Sequence, residues 1–131
     1  MNENFIFTLE REFTYVFNAF DNKSRPEEFQ MRAVIRNLSQ ADQQRILVES
    51  MDDIEVVDGK AKINPKKGMG AAFAVENFKI KELQNIKYIE GDQEKEIKTF
   101  QELTETPAEW AIELANELRM FLAKTELPEK N

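Results

Sequence analysis

Glu102, Glu105, Glu109, Glu113 and Glu117 recur every three or four residues near the end of the chain, and none of the last three has a Lys or Arg three or four positions further on. On one helix such a row sets carboxylates about 6 Å apart, and each like-charged pair costs a few tenths of a kcal/mol unless something offsets it. Three things can do so: a basic surface in the same fold, a basic partner, or solvent and counterions. Two of the five have local reasons to be acidic. Thr99 with Glu102, and Thr106 with Glu109, read as capping boxes, where a carboxylate suits the positive end of a helix. Glu113 and Glu117 are left without such a reason. The basic counterpart lies upstream: residues 60–88 hold seven lysines, at 60, 62, 66, 67, 79, 81 and 87, against Glu76 and Glu82. Glu109, Glu113 and Glu117 on one side, and Lys62, Lys66 and Lys67 on the other, are the candidate partner-binding residues.

Composition closes off most other chemistry. The 131 residues contain no His and no Cys, which removes the commonest general base, thiolate nucleophiles, disulfides and zinc–sulfur sites. No nucleophile with a matched base stands out, so an enzyme is not expected and no cofactor is implied. With 18 basic and 25 acidic residues the net charge is −7, which gives no electrostatic reason to seek nucleic acid or anionic lipid. No apolar run approaches the roughly 20 residues that span a bilayer, and Met1-Asn2-Glu3-Asn4 lacks the basic start of a signal peptide. A soluble chain made in the cytoplasm is expected.

The elements that must position these groups are legible from periodicity and caps. Phe5, Phe7 and Leu9, then Phe13, Tyr15 and Phe17, alternate with more polar neighbours, which predicts two short strands or one long one. Asp21 to Pro26 has turn composition. Phe29, Met31, Ala33 and Ile35 alternate again, with Arg32 and Arg36 on the other face. Ser39 is placed to cap a helix running to about Ser50. Asp58-Gly59 between Ile54–Val57 and Lys60–Ile63 predicts a two-residue hairpin.

The apolar spacing from Met69 to Leu83 predicts a helix. Asn85 to Glu90 reads as a short strand that Gly91-Asp92 turns toward Ile97. Pro107 at a first helical position predicts a long final helix to about Ala123, with Trp110, Ala111, Leu114, Leu118, Phe121 and Leu122 on its apolar side. The class is α+β: a small antiparallel sheet, from the N-terminal strands and the hairpin at 54–63, packed with about three helices. One domain spans 1–131, β-rich over 1–36, mixed over 37–98, helical over 99–124, with a polar tail at 125–131. There is no internal repeat, low-complexity segment or interdomain linker.

Other candidate sites are weaker. Gly68-Met69-Gly70 after Lys66-Lys67 opens a helix but lacks the spacing of a phosphate loop. Asp52, Asp53, Glu55 and Asp58 lack the alternate spacing and central glycine of a calcium loop. The N-terminal aromatics resemble a base-stacking platform only in number, because Glu10 and Glu12 stand where such platforms carry Lys and Arg. They read as core, or as an edge strand able to add to a neighbour's sheet.

Glu96-Ile97-Lys98-Thr99, then Glu102-Leu103, the capped helix ending in Leu118 to Leu122, and the closing Glu126-Leu127-Pro128-Glu129-Lys130-Asn131 resemble small morphogenesis proteins of tailed bacteriophages. The resemblance covers about a third of the chain and implies a head, tail or tail-assembly-chaperone role, in the virion or the host cytoplasm. It brings no catalytic residues. The expected partners are other particle proteins or copies of the chain itself, met by docking of the lysine-rich 60–88 region on the acidic final helix. The alternative is an acidic phage-encoded inhibitor of a host defence nuclease that imitates the phosphate array of DNA. That role requires Glu105, Glu109, Glu113 and Glu117 to face solvent as one strip.

Overall fold

The computed structural model describes residues 4–50, 54–57, 60–63 and 70–126. Strand β1 (Glu12–Val16) pairs antiparallel with β2 (Arg32–Arg36), with Thr14 opposite Val34. Helix α1 (Gln40–Ser50) follows, and the Asp42 N–H donates to Ser39 Oγ at 3.0 Å, the expected cap. Strands β3 (Ile54–Val57) and β4 (Lys60–Ile63) pair with Val57 opposite Lys60. The predicted hairpin is therefore present, although Asp58-Gly59 themselves lie outside the described residues. It forms a two-stranded sheet of its own instead of joining the N-terminal strands.

Helix α2 (Gly70–Lys79) is shorter than the periodicity predicted, because the chain continues as strand β5 (Ile80–Gln84) on the free side of β2. The physical reason is a bulge. Ile80 faces Ile35, but Glu82 faces Val34, so Lys81 is an extra residue in the ladder. A bulge breaks strict alternation. Ile80 and Leu83, three apart, both point into the core, each 2% exposed, and that spacing imitates a helix.

Asn85 then takes a left-handed φ of 62°, which Asn tolerates better than most residues, and its Nδ2 donates to the carbonyls of Glu28 and Gln30. The predicted strand appears as β6 (Ile86–Glu90), joined to β7 (Gln93–Ile97) through Gly91, whose φ of +63° needs no Cβ penalty.

Two helices close the fold. In α3 (Phe100–Glu105) Thr99 Oγ1 accepts the Glu102 N–H at 3.1 Å as an N-cap, and the Glu102 carboxylate accepts the Thr99 hydroxyl at 3.0 Å where a capping box would take its N–H. The capping box expected at Thr106 does not form. Thr106 turns its hydroxyl back to the Glu102 carbonyl at 2.8 Å, ending α3, and α4 runs over Glu109–Glu126 from the Ala108 carbonyl instead of starting at Pro107. Ala111, Leu114, Ala115, Leu118 and Leu122 form its buried stripe, against a core that includes Phe17, Ala33, Ile35, Ile80, Ile97, Phe100 and Leu103. The fold is α+β, with four α-helices among the described residues.

The expected strand at Phe5 to Leu9 is absent. Strand β2 ends at Arg36, where the Asn37 N–H reaches the Arg11 carbonyl at 2.9 Å, and the chain beyond leaves toward α1. Among the described residues β2 has nothing left for residues 5–9 to pair with, and an alternating pattern without a neighbour does not make a strand. Phe5, Phe7 and Leu9 are exposed, not buried.

The turn between β1 and β2 is two 3₁₀ segments, Ala19–Ser24 and Glu27–Phe29, with Phe20 and Asp21 at positive φ. Wholly buried Asn22 holds it: Nδ2 donates to the carbonyls of Phe17 and Met31, and Oδ1 accepts the Met31 N–H at 2.7 Å. Replacing Asn22 by Ala strands the Phe17 carbonyl and the Met31 N–H, each worth about 1–3 kcal/mol when unmade, while the Met31 carbonyl keeps the Phe17 N–H. A urea unfolding midpoint lowered by at least one such increment is expected for Asn22→Ala, and an unchanged midpoint would refute the clasp.

Candidate functional site

The glutamate row is not one row. Because α3 stops at Glu105 and α4 begins at Glu109, Glu102 and Glu105 sit on a different helix from the other three. Glu102 belongs to its cap, and Glu105 accepts from Gln101 Nε2 at 3.1 Å.

Glu117, which has no cation three or four positions further along its helix, is half-buried and fully engaged. Its Oε2 accepts the Tyr15 hydroxyl at 2.5 Å and the Asn18 N–H at 2.7 Å, and Oε1 accepts the Ala19 N–H at 2.9 Å. What offsets its charge is neither the lysine-rich segment nor a partner. It is a hydroxyl and two consecutive amides at the mouth of the 3₁₀ turn, a charge-assisted set of donors. Burial first, then the hydrogen bond and charge of Glu117, push the Tyr15 phenol well above its ordinary range.

Glu109 and Glu113 are exposed, one turn apart, and neither has an ion pair among the described residues. Glu109 stands in the first turn of α4, where its charge is favoured. Ile112, Asn116 and Met120 share this outer side of the helix at four-residue spacing, and Ile112 and Met120 are 57% and 64% exposed. Ile112 also lines a shallow cleft of about 80 Å³ with Leu103, Thr104 and Arg119. Helical spacing alone places 112, 116 and 120 off the core stripe, so this apolar element of the face was open to sequence reading and was missed.

The basic candidates fall differently. Lys62 lies in β4 opposite Glu55, while Lys66 and Lys67 lie outside the described residues, as do Gly68 and Met69 of the glycine loop and Asp52, Asp53 and Asp58. Lys81 is engaged by Glu12 at 2.9 Å, and Arg119 holds Glu76 at 3.1 Å. Lys95 pairs with Glu90 at 2.5 Å across the β6–β7 ladder, which lowers the Glu90 carboxyl and raises the Lys95 amine. No group of three or more acidic side chains is placed to hold a metal ion among the described residues, and none of their helices is long and apolar enough to cross a membrane. The uninterrupted strip that DNA mimicry requires is not there, because Glu117 is turned inward.

Comparison with protein-family models, with curated proteins and with solved structures gives no match.

The raised Tyr15 phenol sets the sign of a pH dependence. Below its ordinary value of about 10 the phenol is neutral folded and unfolded, and its contribution is fully present. As pH rises past that value the unfolded chain ionises first, and the contribution is progressively lost. Tyr15→Phe is expected to cost about 1 kcal/mol near neutral pH, allowing for partial solvent exposure. Its deficit against the parent should shrink above pH of about 10. A deficit that stayed constant to high pH would remove the Tyr15–Glu117 bond as a source of stability.

Proposed function

We propose that this chain is a non-catalytic structural or assembly protein of a tailed-bacteriophage particle, acting by contact with other particle proteins or with copies of itself. The observation that carries the reading is the outer face of α4, where exposed Ile112 and Met120 stand beside exposed Glu109 and Glu113. Apolar side chains at the middle of a contact supply affinity, and flanking charges set approach and partner choice. The matching surface is basic at its rim and apolar at its centre. The lysine-rich 60–88 segment of another copy, which carries Lys62, Lys66 and Lys67, is the counterpart we propose. The phage setting rests on the likeness of the C-terminal third to small morphogenesis proteins, and it supports a place in the virion or the host cytoplasm during assembly.

The test is recovery of partners from infected cells on the tagged full chain, run beside the double variant Glu109→Lys, Glu113→Lys. Both positions are exposed, so the variant should fold like the parent. The parent is expected to retain one or more particle proteins, with binding that weakens as salt rises. The variant should retain them roughly tenfold less well, about 1.4 kcal/mol. Equal recovery by parent and variant, or no particle protein retained by either, defeats the acidic-face reading.

A further inference from the structure

Residues 5–17 read Phe-Ile-Phe-Thr-Leu-Glu-Arg-Glu-Phe-Thr-Tyr-Val-Phe, a sequence that mirrors itself about Arg11. Phe5 matches Phe17, Ile6 matches Val16, Phe7 matches Tyr15, Thr8 matches Thr14, Leu9 matches Phe13 and Glu10 matches Glu12. It is a mirror image, not a direct repeat. Only the second half has a partner in the fold, as β1 with its first flanking residue. The first half carries Phe5, Ile6 and Phe7, 90%, 91% and 88% exposed. Contiguous apolar exposure of this kind marks a contact surface.

The rings of Phe5 and Phe7 stack at 6.3 Å, as side chains two apart on an extended chain do. Strand β1 is the edge of its sheet, and its second side has no neighbour among the described residues. The Arg11 carbonyl and the Phe17 N–H both bond toward β2, to Asn37 and Met31. Odd residues therefore spend their backbone groups on β2. By alternation Glu12, Thr14 and Val16 point theirs at the open side.

We propose that two copies of this chain pair antiparallel along residues 5–17 about a two-fold axis at Arg11, so that the exposed arm of each completes the open edge of β1 in the other. Residue i then lies opposite residue 22 minus i of the second copy, and the mirror sequence sets like against like. Phe7 meets Tyr15 and Leu9 meets Phe13 on the face that carries α4, and Phe5 falls opposite Phe17, whose own ring is already wholly buried. Ile6 meets Val16 and Thr8 meets Thr14 on the other. Aromatic and Thr–Thr pairs of this kind stabilise a sheet directly.

The receiving face is unfinished in the single copy. Phe13, Tyr15 and Phe121 form an aromatic group with centroids 4.5 to 5.7 Å apart, and all three are only partly buried. Phe7 and Leu9 of the second copy fall beside them. A fold-back of the arm on its own β1 is disfavoured, because Glu-Arg-Glu contains no residue suited to a tight turn. In the single copy Asn37 holds both the Glu10 and Arg11 carbonyls and the chain bends at Arg11; pairing gives up the Glu10 bond and straightens the arm. The opposed Glu10 and Glu12 are a modest cost, part-relieved by Lys81 on Glu12. This pairing uses no residue of α4's outer face and does not depend on the acidic-face reading.

The test uses the full chain, which has no cysteine of its own. Sedimentation equilibrium is expected to show a dimer that persists or tightens as salt rises, opposite to charge-complementary docking. Phe7→Glu, at an exposed position, should weaken it roughly a hundredfold while leaving the thermal unfolding of the monomer unchanged. Arg11→Cys should form a disulfide dimer under mild oxidation, because residue 11 faces itself at a separation a disulfide spans. Thr14→Cys alone should not, but mixed with Thr8→Cys it should. A monomer at every concentration, a dimer indifferent to Phe7→Glu, or an Arg11→Cys chain that crosslinks no faster than one carrying Glu94→Cys would each overturn the proposal. So would a monomer whose arm binds a different particle protein.

Discussion

A single carboxylate in the middle of the last helix carries the joint between the two ends of this chain. Glu117 takes a phenol and two adjacent amides from residues 15–19, across a sequence separation of about a hundred residues. Those amides open a turn whose next two residues, Phe20 and Asp21, hold left-handed φ, a strained choice for side chains of that size. The strain persists because it is held from both sides, by Glu117 before it and by the buried Asn22 clasp after it. With the turn held, Phe17 is carried into the core and β1 is aligned on β2. A carboxylate suits the task because it accepts only. An amide at the same position would turn an NH₂ group toward one of three donors.

Local signals were the ones legible in the sequence. Ser39 and Thr99 cap the helices they announce, the strands flanking Asp58-Gly59 pair, and the buried stripe of α4 follows its spacing. Each depends on residues within one turn or one hairpin. The misses share a cause, which is that the deciding partner is remote or has two uses. Ile80 and Leu83 look helical because a bulge opposite Val34 and Ile35 restores them to one face. Thr106 has the spacing of a cap, but its hydroxyl finishes the preceding helix. Phe5 to Leu9 alternate as a strand does and lack the neighbour that would make one.

The acidic row shows the same limit in its charge. Counting cations three and four positions along a helix tests only that helix, and it marked Glu117 as unpaired. The compensation came from backbone amides, which no charge count registers. Once that is recognised, four of the five glutamates have reasons inside the molecule. Glu102 caps, Glu105 is bonded to Gln101, Glu109 sits at a positive helix end and Glu117 clamps the turn.

Glu113 alone is then in excess of what the fold uses. Its neighbours on the same exposed side are Ile112 and Met120, which the core does not use either. A lone surface charge contributes little to binding energy, and two exposed apolar side chains contribute little to selectivity. In the contact proposed for this face they divide the work: desolvation of Ile112 and Met120 provides the affinity, and Glu113 selects a partner that brings a positive charge to that turn. The N-terminal arm has the opposite make-up, apolar over its length with its like charges at the centre. The two proposed contacts therefore differ in sign of salt response, and a chain that used both would hold a neighbour of its own kind while leaving the final helix free for another.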